Sequence, residues 1–176
     1  MYHWNQSNFE GLAHLAAQLR TDSRLNELAR YCELRETGLR REAFQALDNF
    51  LAAALSSTIE EQRELAIHVL GAHARIAAAH QFLSHPLKER FLLPVLHAWC
   101  TAEPHNPIPF GELGVLQRDA DTLRQALELA PGNDRVRRCL TALVLGYVDF
   151  ATHHLSESIL IGPFEDACGA LDLAEN

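Results

Sequence analysis

Apolar side chains recur at steps of three and four along most of this 176-residue chain, the period that gathers them on one face of an α-helix. Phe9, Leu12, Ala13, Leu15, Ala16 and Leu19 form the first stripe, with Asn8 placed to cap it. Thr21 or Asp22 caps a second helix that carries Leu25, Leu28, Ala29 and Cys32 and runs to about Glu36. Thr37-Gly38 reads as its stop, because glycine takes the left-handed conformation at little steric cost. Ala43, Phe44, Leu47, Phe50, Leu51, Ala54 and Leu55 predict a third helix. Ser57 to Glu60 and Thr58 to Glu61 are overlapping capping boxes, each able to satisfy two orphan amides, so a fourth helix starts here. It reads on to about Leu83 and is apolar on two faces, Ile67, Leu70, Ala74 and Ala77 on one, Leu65, Val69, Ala72 and Ile76 on the other. That distribution predicts a helix surrounded by neighbours.

Pro86 suits the first turn of a fifth helix, and Pro94, falling inside it, predicts a kink or split. Pro104, Pro107 and Pro109 within six residues predict a loop over 104–110. A helical stretch from about Glu112 to Ala130 follows, with a break near Gln117, then a Pro131-Gly132-Asn133 turn. Asp134 is placed to cap a long helix to about His154, with Val136, Cys139, Leu140, Leu143, Val144, Tyr147, Ala151 and Leu155 in register. Gly162-Pro163 opens a last helix carrying Phe164, Ala167, Cys168 and Leu171. No segment alternates as a half-buried strand does. The expectation is an all-α fold of stacked antiparallel helical hairpins, about seven to eight helices in a single domain over 1–176. The loop 104–110 is expected to separate an N-terminal helical part from a C-terminal hairpin part.

Leu123, Ala126 and Leu129-Ala130-Pro131-Gly132-Asn133, followed by Leu140 and Leu145-Gly146-Tyr147, resemble a tetratricopeptide-type helical repeat across 112–155. Ala126 precedes Pro131 by five positions, as a small residue does in that family. The sequence departs from the family pattern at Arg137, where a Trp is usual, and at Thr141, where a Gly is usual, and no second copy follows at a period of about 34 residues. The resemblance implies a helix-hairpin stack rather than a closed four-helix bundle.

Composition narrows the function. The net charge of −8 and the short basic clusters Arg40-Arg41 and Arg135, Arg137 and Arg138 argue against nucleic acid, since duplex binding draws on a basic face. The acidic balance suits solubility or attraction to a basic protein partner instead. Cys32, Cys100, Cys139 and Cys168 are scattered without a C-x-x-C pair and read as reduced thiols, Cys32, Cys139 and Cys168 on apolar helix faces. Residues 1–5 have neither a basic region nor an apolar run, and no apolar stretch approaches the roughly 20 residues of a membrane span, so the chain reads as soluble and cytoplasmic.

Ten histidines invite metal or acid–base chemistry. His73 and His80, on one predicted helix face, stand about 10 Å apart along its axis and cannot share an ion unaided. His97 and Cys100 share a face but lack two further ligands for zinc. His153-His154 reads as cations at a helix C-terminus. The zinc-protease motif, the G-x-S-x-G elbow and a phosphate loop are absent, Gly111-Glu112-Leu113-Gly114 being too sparse for the last. The expectation is a non-catalytic protein–protein interaction protein without metal or cofactor, an adaptor or a bacterial toxin-neutralising immunity protein. The alternative is a helical enzyme or ligand-binding regulatory domain using convergent histidines. Partner-facing candidates are Trp4 before the first helix, Glu60, Glu61, Asp119 and Asp121 as carboxylates for a basic surface, and Pro107 and Phe110 of the expected loop. Trp99, on an apolar face, is expected in the core.

Overall fold

A computed structural model describes residues 3–76, 78–153, 161, 165, 166 and 168–170, the side chains of residues 3–5 excepted. The described residues are α-helical with no strand, and sequential helices pack as hairpins. Backbone contacts divide the chain into two compact units, Met1–Trp99 and Cys100–Asn176.

In the first unit, α1 (His3–Leu19), α2 (Asn26–Glu36) and α3 (Arg40–Leu55) pack in sequence, with α2 between the other two. A 3₁₀ turn, Ser23–Leu25, leads into α2. The α2–α3 corner is a Schellman closure: Leu39 N–H donates to the Leu34 carbonyl (2.8 Å), Gly38 N–H to Arg35 (3.2 Å), and Gly38 takes φ +80°. Helix α4 (Ile59–Arg75) rests on α1 and α3. The Thr58–Glu61 box holds its start: Thr58 Oγ1 accepts from Glu61 N–H, and Thr58 N–H donates to the Glu61 carboxylate. Leu65, Val69 and Ala72 of one apolar face and Leu70 of the other are buried, whereas Ile67 is half-buried and Ala74 exposed. Leu55, expected in the α3 stripe, is exposed.

Helix α4 ends at Arg75, well short of Leu83, although Ala77-Ala78-Ala79 favours helix. Tertiary bonds outweigh that propensity. Asn8 is not a cap. It lies inside α1, completely buried, and its Oδ1 accepts from Gln81 N–H at 3.1 Å. From α2, Tyr31 donates to the Gln81 carbonyl and Arg35 to the Gln81 side chain. Buried Ala79 sits so close to Gly11 that a Cβ there would meet its backbone nitrogen at 2.8 Å.

Pro86 occupies the first turn of α5 (His85–Leu87). Pro94 cannot donate to the carbonyl four residues back, and its ring crowds that turn. The backbone answers with a π-helical turn, Lys88–Leu92, in which Leu93 N–H reaches Lys88 O, before α6 (Leu93–Ala102) resumes. Phe91 of this turn meets Phe50 of α3 edge-on at 5.7 Å, a contact adding roughly 1 kcal/mol beyond burial.

In the second unit, α7 (Pro107–Gln117), α8 (Ala120–Leu129) and α9 (Asp134–Thr152) pack in order around Phe110, Leu123, Ala126, Val136, Leu140 and Val144. The expected loop 104–110 is corrected: only its first residues lie outside helix. Pro107 and Pro109 fall in the first turn of α7, where an amide has no intrahelical acceptor, and Asn106 caps it by accepting from Ile108 N–H. The break near Gln117 is Arg118 in the left-handed region (φ 56°). Asn133, one residue before Asp134, caps α9 by accepting from Val136 N–H. Gly114 lets α8 approach α7: a Cβ there would stand 2.8 Å from Leu123 Cγ. Of the last predicted helix, residues 165, 166 and 168–170, Cys168 among them, are described and helical, whereas Phe164, Ala167 and Leu171, like Leu155 and His154, lie outside the described residues.

Candidate functional site

The Thr58 cap sets the rotation of α4 from its first turn, and Glu60, Arg63, Glu64, Ile67 and His68 then fall along one stripe, spaced as i, i+3, i+4, i+7 and i+8. This stripe and Trp99 of α6 line an open groove of about 410 Å³ in the first unit. The Arg63 guanidinium stands over the Trp99 ring, 5.1 Å from its centroid, a cation–π arrangement. Trp99 is half-buried rather than core, and its indole Nε1 is buried without a hydrogen-bond acceptor among the described residues. Ile67 adds apolar surface, and Glu60 and Glu64 put carboxylates on the rim.

A charge chain anchors the groove wall to the 3₁₀ turn. Arg24 clasps Asp22 (2.7 Å) and reaches Glu64 on α4 (3.0 Å), and His68 Nδ1 lies 3.3 Å from Asp22 Oδ2. The Arg24 side chain beside Asp22 is the main force holding that carboxyl at about 2, helped by the Arg24 backbone N–H and by His68 and opposed by partial burial. Bonds to Asp22 and Glu64 push Arg24 the other way, further into its charged form. Glu64 stays largely open to solvent, its side chain 63% exposed, so the pair shapes the rim more than it stabilises the fold. The six lining residues set the carboxylates of Glu60 and Glu64, the guanidinium of Arg63 and the imidazole of His68 around the apolar surfaces of Ile67 and Trp99.

The other predicted site residues divide. Glu60 lines the groove, whereas the Glu61 carboxylate is turned back to Thr58, whose backbone amide holds it below its ordinary value. Asp119 caps α8 through the Thr122 hydroxyl and N–H, which likewise lower its pKa. Asp121 pairs with Arg124 and lines a separate groove of about 720 Å³ in the second unit. Pro107 is half-buried at the α7 start. Phe110 is corrected from partner surface to core, 8% exposed, because α7 begins early enough to turn it inward; Ile108 is the exposed apolar residue of that turn. Trp4 belongs to α1, but its side chain lies outside the described residues.

Among the described residues the histidines do not gather into one cluster. His73 packs against Phe82, while His80 sits beyond the end of α4 with Nδ1 beside the Ala78 carbonyl, so the two do not share a helix. His153 Nδ1 lies 2.7 Å from the Phe150 carbonyl at the end of α9. Among the described residues no three His, Cys, Asp or Glu side chains are placed to hold a metal ion, and the four cysteines are free thiols. Burial pushes the Cys32 and Cys100 thiols up, away from the reactive thiolate. No described helix is long and apolar enough to cross a membrane.

Sequence reasoning reached Glu60 through its capping position and missed Arg63, Glu64 and His68 as a group. The available signal was their shared spacing around Ile67 on the less buried side of α4. Comparison with protein-family models, with curated proteins and with solved structures finds no match for this chain.

Proposed function

We propose that this chain is a non-catalytic protein–protein interaction protein that docks a basic segment of its partner in the α4–α6 groove, in the manner of an adaptor or a toxin-neutralising immunity protein. The groove itself supports the reading: a half-buried tryptophan with an isoleucine beside it, lined by two carboxylates together with Arg63 and His68, in a chain of net charge −8. Tryptophan and desolvated charge pairs dominate binding energy at protein interfaces, and an acidic rim selects basic partners and speeds their encounter.

The test is copurification from the producing cell with the full chain and with Trp99→Ala and Ile67→Asp, each variant shown by circular dichroism to keep its helicity. A partner retained by the parent chain and lost by both variants supports docking here. An identical set of bound proteins for all three rejects the groove.

A second reading, acid–base chemistry, has one observation behind it: His68 beside the Asp22 carboxylate. Turnover of any substrate that disappears in His68→Gln would favour it over docking.

A further inference from the structure

We propose that the groove of the second unit is a docking surface in its own right, and that its occupant is a basic amphipathic helix of a partner protein. This groove of about 720 Å³ is lined from three sides, by α8, by α9 and by the helical residues 165, 166, 169 and 170, and it shares no lining residue with the α4–α6 groove. Asp121 and Arg124 line it from α8, Leu143 and Tyr147 from α9, Glu165 and Gly169 from the third wall. Each pair is three or four residues apart, so each wall offers one helical face. Three such faces around one trough fit a fourth helix, whose side-chain ridge seats between their rows. The surface between the walls is apolar: Leu143 is half-buried and Tyr147 remains 37% exposed. Gly169 leaves space open, since a Cβ added there would meet nothing within 4 Å. The charges select the occupant. Asp121 and Arg124 pair with each other, and no further basic side chain among the described residues lines the groove. Glu165 and Asp166 are exposed and make no ion pair among the described residues. Two uncompensated carboxylates beside apolar surface are complemented by a helix with one apolar face flanked by lysine or arginine. A second copy of this chain, itself of net charge −8, would add acid to acid.

The experiment uses the full chain and a blocked, fluorescently labelled peptide of leucine, lysine and alanine, about four helical turns long, with its leucines on one helical face. One control has the same composition with the leucines dispersed around the helix; another replaces lysine by glutamate. Fluorescence anisotropy should show saturable binding of the basic amphipathic peptide and binding about tenfold weaker or less for both controls. Gly169→Leu changes no charge and places its side chain in open space, so it should keep the fold and weaken the peptide about tenfold. Tyr147→Ala, and Glu165→Gln with Asp166→Gln, should each weaken it severalfold, every variant being shown by circular dichroism to retain its helicity. Trp99→Ala should bind the peptide as the parent chain does. Undiminished binding by Gly169→Leu, equal binding of either control peptide, or no binding at all overturns this surface. Binding lost in Trp99→Ala and kept in Gly169→Leu also overturns it, by placing the peptide in the α4–α6 groove, and leaves the docking reading of that groove standing.

Discussion

Asn8 shows how one side chain can change the meaning of a segment 73 residues away. By composition it looks like a helix cap, since asparagine at a helix start ordinarily satisfies an amide one turn on. Helix α1 instead begins earlier, and Asn8 is carried to a fully buried position where its Oδ1 takes the Gln81 N–H. A buried amide left without an acceptor costs more than a surface hydrogen bond is worth, because its desolvation is then uncompensated. Asn8→Ala is therefore expected to destabilise the chain by about 2 kcal/mol, seen as a lowered urea midpoint, and to accelerate hydrogen exchange at the Gln81 amide ahead of amides in α2. A stability loss with Gln81 exchange unchanged would mean that Asn8 acts through packing alone. Nothing local in the sequence marks Asn8 as this kind of residue; its acceptor role exists only once residues 78–82 have been folded back over α1.

At the scale of the element, most helix starts follow from local chemistry and were legible for that reason. Thr58 with Glu61 and Asp22 before the 3₁₀ turn each satisfy amides within three residues of themselves; Asp119 does the same for α8, although the sequence offered there only a break near Gln117 and Asp119 as a partner-facing carboxylate. Helix ends and shifted starts were less legible. The halt at Arg75 comes from bonds made by Asn8, Tyr31 and Arg35, all distant in sequence. The start at Pro107 turned on whether two prolines sit before a helix or in its first turn, a choice that Asn106 settles as the cap. The carboxylate caps make a prediction about acid. Asp22 and Asp119 ionise more readily in the folded chain than at the ordinary value of 3.8, so both stabilise the fold above about pH 4. That contribution fades as the pH falls, for Asp22 over the range down to about 2. Asp119→Asn keeps a capping oxygen and should cost little at pH 7, yet it should flatten the decline of stability as the pH falls below about 4. Urea midpoints across that range, parent against variant, give the answer, and parallel curves would refute the assignment.

At the scale of the whole molecule, all-α architecture was legible because the 3.6-residue period runs through nearly every segment, whereas the groove was not. Glu60 came into view only as a helix-start carboxylate, and Trp99 was expected inside, because pairing Arg63 with Trp99 needs two helices separated by 36 positions to be brought side by side. Charge, by contrast, is a property of the entire chain and can be argued without the fold. A net charge of −8 attracts a basic partner from beyond contact distance, and salt screens that attraction over roughly 10 Å at 0.1 M. If the partner is basic, its association rate should fall about tenfold between 0.02 and 0.5 M sodium chloride, while dissociation, governed by Trp99 and Ile67 at close range, changes less. Reversing both rim charges, Glu60→Lys with Glu64→Lys, should slow association at low salt and leave little salt dependence. Stopped-flow kinetics with the copurified partner distinguish the cases: an association rate indifferent to salt in the parent chain would mean that the acidity serves solubility and that the partner is chosen by shape and apolar contact alone.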